Sequence, residues 1–215
     1  MLRKKIDTII LDVDGTLSEE ISWLKLTQGL GASPDEHSAI FEQFKKGSLS
    51  YPEAKRKLIQ LWQDTGNANK DYMEKMFRSW NLKEDAEDTV NYLRGTYRVC
   101  LISGAVDLYV QIVAEKLEVA DWYANTKLVW NGNGELTDFH YHADQAGKKL
   151  EQFEEFIKRY KLKRDKCAVV GDGDSDIVLF RELRHGVAVN KNPNPELESL
   201  ALRTVRELRE LKDIF

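Results

Sequence analysis

Long apolar runs are missing from this 215-residue chain. None approaches the ~20 consecutive residues that span a bilayer. The N-terminal Met1-Leu2-Arg3-Lys4-Lys5-Ile6-Asp7 leads straight into an apolar stretch, so no cleavable leader is expected. An excess of positive charge is missing too. With 32 Lys and Arg against 36 Asp and Glu, the formal net charge of −4 argues against a nucleic-acid-binding surface. Cysteine is nearly absent: Cys100 and Cys167 each sit inside an apolar, strand-like run, with no CxxC and no metal-ligand spacing. Both read as reduced core residues. What remains, 42% apolar and 32% charged, is the composition of a globular protein without membrane or nucleic-acid partners. A cytoplasmic enzyme or binding protein is expected, and composition leaves its oligomeric state open.

The most informative segment is Ile9-Ile10-Leu11-Asp12-Val13-Asp14-Gly15-Thr16-Leu17. A short apolar run reads as a buried strand that ends in two carboxylates around one small residue. Period-two alternation would turn Asp12 and Asp14 to the same side. Two like charges so close are costly unless they share a cation or a proton.

After Leu17 the pattern becomes helical over residues 18–85, punctuated at Gly29–Pro34, Lys46–Pro52 and Asp64–Asn69. Trp23, Trp62 and Trp80 lie here, either to hold a small helical unit together or to line a cavity. Strand and helix then alternate. A helix near 84–95 precedes a strand at 97–102 that runs into Ser103-Gly104-Ala105, and a helix follows over 107–117. Asn131-Gly132-Asn133-Gly134 joins segments 125–130 and 135–142 as a hairpin. A helix near 148–160, a strand at 166–170 ending in Gly171-Asp172-Gly173, a further helix, the strand Gly186–Asn190 and a charged C-terminal helix complete the chain. Repeated strand-then-helix units imply an α/β fold, a parallel sheet with right-handed crossovers and helices on both faces. Ligands of such sheets bind beyond the carboxyl ends of the strands, where every candidate group falls.

Those groups fit phosphoryl transfer to a carboxylate, which needs an in-line nucleophile, neutralised phosphate oxygens and a proton for the leaving oxygen. Asp12 can serve as nucleophile through an aspartyl-phosphate. Asp14 can protonate the leaving group and then deprotonate water. Ser103, beside Gly104, can offer a hydroxyl and nearby backbone N–H groups to phosphate, and a lysine opening the helix near 148–149 can neutralise it. Asp12, the backbone carbonyl of Asp14, and Asp172 would offer oxygen ligands to Mg²⁺, with Asp176 behind them orienting a water or pairing with the lysine. Singly each feature has an ordinary reading: Ser-Gly as a turn, lysine as a surface charge, and Asp172–Asp176 as the start of a calcium loop. The calcium loop is disfavoured because an apolar strand precedes it and Leu183 stands at its twelfth position.

Together, Asp12-Val13-Asp14-Gly15-Thr16, Leu101-Ile102-Ser103-Gly104-Ala105, the lysine near 149 and Val170-Gly171-Asp172-Gly173-Asp174-Ser175-Asp176-Ile177 resemble the haloacid-dehalogenase-like phosphatases, in their phosphoserine-phosphatase-like branch. The resemblance implies a Rossmann-like core, residues 1–17 and 86–215, with a helical cap inserted at 18–85. It implies site roles for Asp12, Asp14, Ser103, Lys149, Asp172 and Asp176. Lys149 is preferred over Lys148 because it stands 23 residues before Asp172, a spacing common in the branch, and puts Phe153, Phe156, Ile157 and Tyr160 on one helical face.

The expected activity is Mg²⁺-dependent hydrolysis of a small phosphorylated metabolite, with phosphoserine one candidate. A phosphotransferase, or a regulatory binding protein without turnover, are the alternatives. A dehalogenase is disfavoured because Asp14 serves acid–base work that a dehalogenase does not need. The substrate positions depart from the branch. Its phosphoserine enzymes carry a Glu nine residues after the nucleophile and an Arg in the second cap helix. Here those positions hold Ile21, just after Glu19 and Glu20, and Leu58, with Arg56 two residues earlier. A two-residue shift on a helix turns a side chain by about 200°.

Overall fold

The structure, a computed structural model, describes residues 6–189 and 194–215. Residues 1–5 of the expected core segment, and Asn190 at the end of the last expected core strand, lie outside the described residues. In chain order the elements begin with β1 (Thr8–Leu11), then α1 (Ser22–Leu30), α2 (Pro34–Lys45), α3 (Tyr51–Gln63), α4 (Lys70–Ser79) and α5 (Ala86–Arg94). Next come β2 (Arg98–Val106), α6 (Asp107–Lys116), the hairpin β3 (Asp121–Trp130) and β4 (Leu136–His140), and α7 (Gln145–Tyr160). The chain continues through β5 (Cys167–Gly171), α8 (Ile177–Glu182), β6 (Gly186–Val189), α9 (Pro195–Leu200), β7 (Arg203–Val205) and α10 (Leu211–Ile214).

The sheet order is β4-β3-β2-β1-β5-β6-β7, parallel except for the antiparallel β4 edge. This is the α/β architecture anticipated from the strand–helix alternation. β1 is central, with Ile10 opposite Cys100 of β2 and Val169 of β5. All four of its residues are buried, as a strand covered on both faces requires. Its side chains alternate between two clusters: Ile9 and Leu11 join one core, Ile10 the other with Phe153, Phe156 and Val169. Cys100 and Cys167 are buried free thiols in these strands.

Between β1 and β2 the helices start where local chemistry provides for their free N–H groups. Ser33 caps α2 ahead of Pro34, Ser50 and Glu53 form a capping box on α3, and Asn69 accepts from Tyr72 N–H on α4. α1 stops at Gly31, whose φ of 90° suits glycine. Trp62 is fully buried against Trp23, their rings stacked 5.9 Å apart. Its indole N–H donates to Thr27 Oγ1 at 2.8 Å, and that hydroxyl lies 2.6 Å from His37 Nδ1. Trp80 packs elsewhere, against Phe77 and Tyr109.

The C-terminal region differs from its sequence pattern. In place of one charged helix, α9, the edge strand β7 and α10 share the segment. Leu208, Leu211 and Phe215 keep helical spacing and are buried, but only three residues, Arg203–Val205, form the strand that pairs with β6. A strand that short falls below what periodicity can resolve.

Burial against the two tryptophans lowers the His37 pKa to about 4 from an ordinary 6.5. The unfolded chain therefore takes up this proton first as pH falls. The stability that neutral His37 confers is complete above about pH 6.5 and is lost on descent towards pH 4. Urea unfolding of wild type and His37→Gln across this range should show a pH-dependent difference of roughly 2–3 kcal/mol. A pH-independent difference would mean that the imidazole is not held neutral.

Candidate active site

β1 ends at Leu11, so the pleat does not carry through to Asp14 as the alternation of Asp12 and Asp14 suggested. A turn brings both carboxylates to one cavity instead: Leu17 N–H and Ser18 N–H donate to Val13 O, and Gly15 takes a φ of 74°. A side chain at Gly15 would also run into the Asp172 carboxylate, so glycine is needed there twice over.

Asp12 is 5% exposed and its Oδ1 lies 3.0 Å from Lys149 Nζ as an ion pair. Lys149, fully buried in the second turn of α7, also donates to Asp176 Oδ1 at 2.7 Å. Burial opposes the charge on this ammonium, but the flanking carboxylates of Asp12 and Asp176 outweigh it and hold its pKa above the ordinary lysine value. Lys148 turns away to pair with Glu151 at 2.8 Å. Asp176 Oδ2 accepts from the backbone N–H groups of Asp172 and Gly173, which shapes the acidic loop.

Asp14 Oδ2 accepts from both the Ser22 hydroxyl (2.6 Å) and the Ser22 N–H (3.0 Å). Its Oδ1 is buried and accepts no hydrogen bond among the described residues. Burial, with the Asp12 charge adding to it, raises the Asp14 pKa to about 7. Asp172 is likewise pushed up to about 7, by burial and then by Asp12 and Asp176. Ser103 is fully buried near the end of β2 and accepts from Ala105 N–H at 3.3 Å. Gly104 lines the cavity, where its lack of a side chain makes room for Gln145.

Asp12, Asp172 and Asp176 present carboxylate oxygens within 4.8 Å of one another, an all-oxygen set suited to a hard divalent cation. Asp14 stands outside that set by its side chain. Burial, and then the neighbouring carboxylates, raise the pKa values of Asp172 and Asp176 within this set.

Pattern reasoning missed several partners. Thr16 donates to Asp172 Oδ1 at 2.9 Å, Ser22 holds Asp14, and Lys83 Nζ donates to Gly15 O at 2.6 Å. Gln145 accepts from Asn125 and lines the cavity. Thr16 lay inside a recognised motif. Ser22, Lys83 and Gln145 lie outside every motif and carried no signal.

Lys149→Met would leave Asp12 and Asp176 buried without their counter-charge. Urea unfolding should show a loss of about 3 kcal/mol or more, against less than about 0.5 kcal/mol for Lys148→Met. Similar values for the two would contradict a buried, paired Lys149.

A family model described as "haloacid dehalogenase-like hydrolase" matches residues 6–183. Phosphoserine phosphatase of Methanocaldococcus jannaschii is 26% identical over 212 residues, covering 98% of each chain. That of Halobacterium salinarum is 26% identical over 202 residues, covering 93% of this chain and 92% of its own. Among solved structures, a substrate-bound phosphoserine phosphatase complex superposes with a TM-score of 0.73 at 25% identity, covering 98% of this chain and 99% of that one. With the family model spanning most of its length, the chain belongs to the haloacid dehalogenase-like hydrolases.

Proposed function

We propose that this hydrolase is a Mg²⁺-dependent phosphomonoesterase acting on a small phosphorylated metabolite, with Asp12 as nucleophile. One observation carries the reading. A buried carboxylate charge-paired to Lys149 shares a cavity with a second carboxylate, Asp14, whose Oδ1 accepts no hydrogen bond among the described residues and whose pKa of about 7 lets it both give and take a proton. The likeness to phosphoserine phosphatases supports the same reaction class.

In the first step an Asp12 oxygen attacks phosphorus, and the ester P–O bond breaks. Asp14 gives its proton to the departing alkoxide, releasing the alcohol and leaving an aspartyl-phosphate. In the second step water attacks that phosphorus. Asp14 takes the water proton, and the Asp12 carboxylate and inorganic phosphate separate. Lys149 neutralises Asp12 and phosphate charge throughout, while Ser103 and the backbone beside Gly104 position the phosphate oxygens. Asp12, Asp172 and the backbone carbonyl of Asp14 would hold Mg²⁺, which when bound neutralises phosphate and carboxylate charge. Asp176 orients Lys149 and shapes the loop.

Residues 18–85 act in this reading as a cap over a core formed by 1–17 and 86–215. The wall that Trp23, Phe41 and Leu58 give to the cavity supports this division. Enclosure by such a cap favours a small substrate over a folded phosphoprotein. No helix among the described residues is long and apolar enough to cross a membrane. The two unpaired cysteines support a cytoplasmic location.

Phosphate release from a panel of phosphomonoesters should require Mg²⁺, stop with EDTA and vanish in Asp12→Asn. Turnover by Asp12→Asn near the wild-type rate would remove Asp12 as nucleophile. Asp14→Asn should lower kcat/KM, which reads only as far as release of the alcohol, by at least about 100-fold for alkyl phosphates. It should cost p-nitrophenyl phosphate far less, because nitrophenolate leaves without a proton. Equal losses on both substrates would argue against Asp14 as the acid.

A further inference from the structure

The cavity that holds Asp12 and Asp14 extends well beyond them, with a volume of about 490 Å³, within the range of cavities that enclose small organic ligands. Its acidic end is built by the loops after β1 and β5. The remaining wall is hydrocarbon and aromatic, including Ile21, Trp23, Phe41, Leu58, Phe139 and Tyr141. Trp23 sits at the centre of this wall, with ring centroids 5.5 Å from Phe139 and 6.0 Å from Tyr141. Ile21 and Phe41, two of the few large apolar side chains exposed among the described residues, both face this cavity. Apolar surface left open to water beside reacting groups marks a place for an apolar ligand.

The charges near this wall are already used. Lys55 is the single Lys or Arg among the described residues that line it. Its Nζ pairs with Asp138 Oδ1 at 2.8 Å and also reaches Phe139 O. Glu42 at the rim pairs with Lys46, and His37 is neutral through burial. Arg56 is exposed and stands outside the wall, whereas Leu58, two residues on, faces in. Glu20 is exposed and pairs with Lys25. An amino acid esterified to phosphate would bring an ammonium and a carboxylate into this space, and its carboxylate would find no uncommitted cation there. Desolvating unpaired charge is heavily penalised.

We propose that the group esterified to the phosphate is the residue of an uncharged, largely hydrocarbon alcohol, of about the size of a phenylalkyl or short branched alkyl chain, and not an amino acid. The inference rests on the phosphomonoesterase reading and deepens it by naming the substrate class. The ester P–O bond breaks as described above, and the apolar alcohol leaves with the Asp14 proton.

The test uses the whole protein with Mg²⁺, n-alkyl phosphates from methyl to hexyl, 2-phenylethyl phosphate and O-phosphoserine. Binding of 2-phenylethylphosphonate and of the phosphonate analogue of phosphoserine is measured in parallel by tryptophan fluorescence. The kcat/KM should rise roughly fourfold per methylene until the cavity is filled. Phosphoserine should fall below propyl phosphate, and the phenylethylphosphonate should bind at least tenfold tighter than the amino-acid analogue. A flat alkyl series, or phosphoserine as the best substrate, overturns the inference while leaving the phosphatase reading intact. If no ester is hydrolysed, the phosphatase reading fails and the binding comparison alone decides. Tighter binding of the phenylethyl compound then upholds an apolar ligand, and equal or weaker binding overturns it.

Discussion

A single buried ammonium organises the reactive end of this molecule. Lys149 projects from α7 into a space completely closed to solvent and meets Asp12 from the end of β1 and Asp176 from the turn after β5. Three segments far apart in sequence are thereby fixed to one another by charge. Buried ion pairs are seldom a net gain in stability over well-packed hydrocarbon. This one is better understood as a positioning device that turns the Asp12 and Asp176 carboxylates towards one ammonium. The remaining contacts follow from it: backbone N–H groups fix the second oxygen of Asp176, and Thr16 ties Asp172 to the turn after β1.

That arrangement gives the two aspartates that follow β1 different characters. Asp12 shares its charge with Lys149. Asp14, held through Ser22 on one oxygen and without a hydrogen bond on the other among the described residues, is pushed by burial to a pKa near neutrality. In the proposed reaction, two carboxylates two residues apart would divide the labour of nucleophile and acid–base group through their surroundings alone. The rest of the cavity answers to a different physics. Aromatic and aliphatic side chains from α1, α2, α3 and β4 form its wall, and their neighbouring charges are satisfied by each other. One end of the cavity is lined by carboxylates and the other by hydrocarbon.

Much of the fold was legible because its signals are local. Buried β-branched runs marked β1, β2 and β5, Asn131–Gly134 marked the hairpin, and the breaks at Gly29–Pro34, Lys46–Pro52 and Asp64–Asn69 fell between the helices α1 to α4. Less legible was whatever depended on a partner far along the chain. The three-residue strand β7 exists only because β6 offers an edge. Ser22, Lys83 and Gln145 reach the site by the path of the backbone, with no motif around them.

The sequence by itself determined the order of the elements as far as β6, the position of the carboxylates after strands, and the family to which the chain belongs. These rest on short-range periodicity and on spacing, which survive without knowledge of the fold. Tertiary structure alone decided that Lys149 is buried while Lys148 pairs with Glu151, that Asp12 and Asp14 meet through a turn instead of a pleat, and that Leu58 faces the cavity while Arg56 faces solvent. Neighbouring residues on a helix differ by about 100° in direction. Which of them looks inward is settled by what packs against the helix, and a linear pattern does not contain that information.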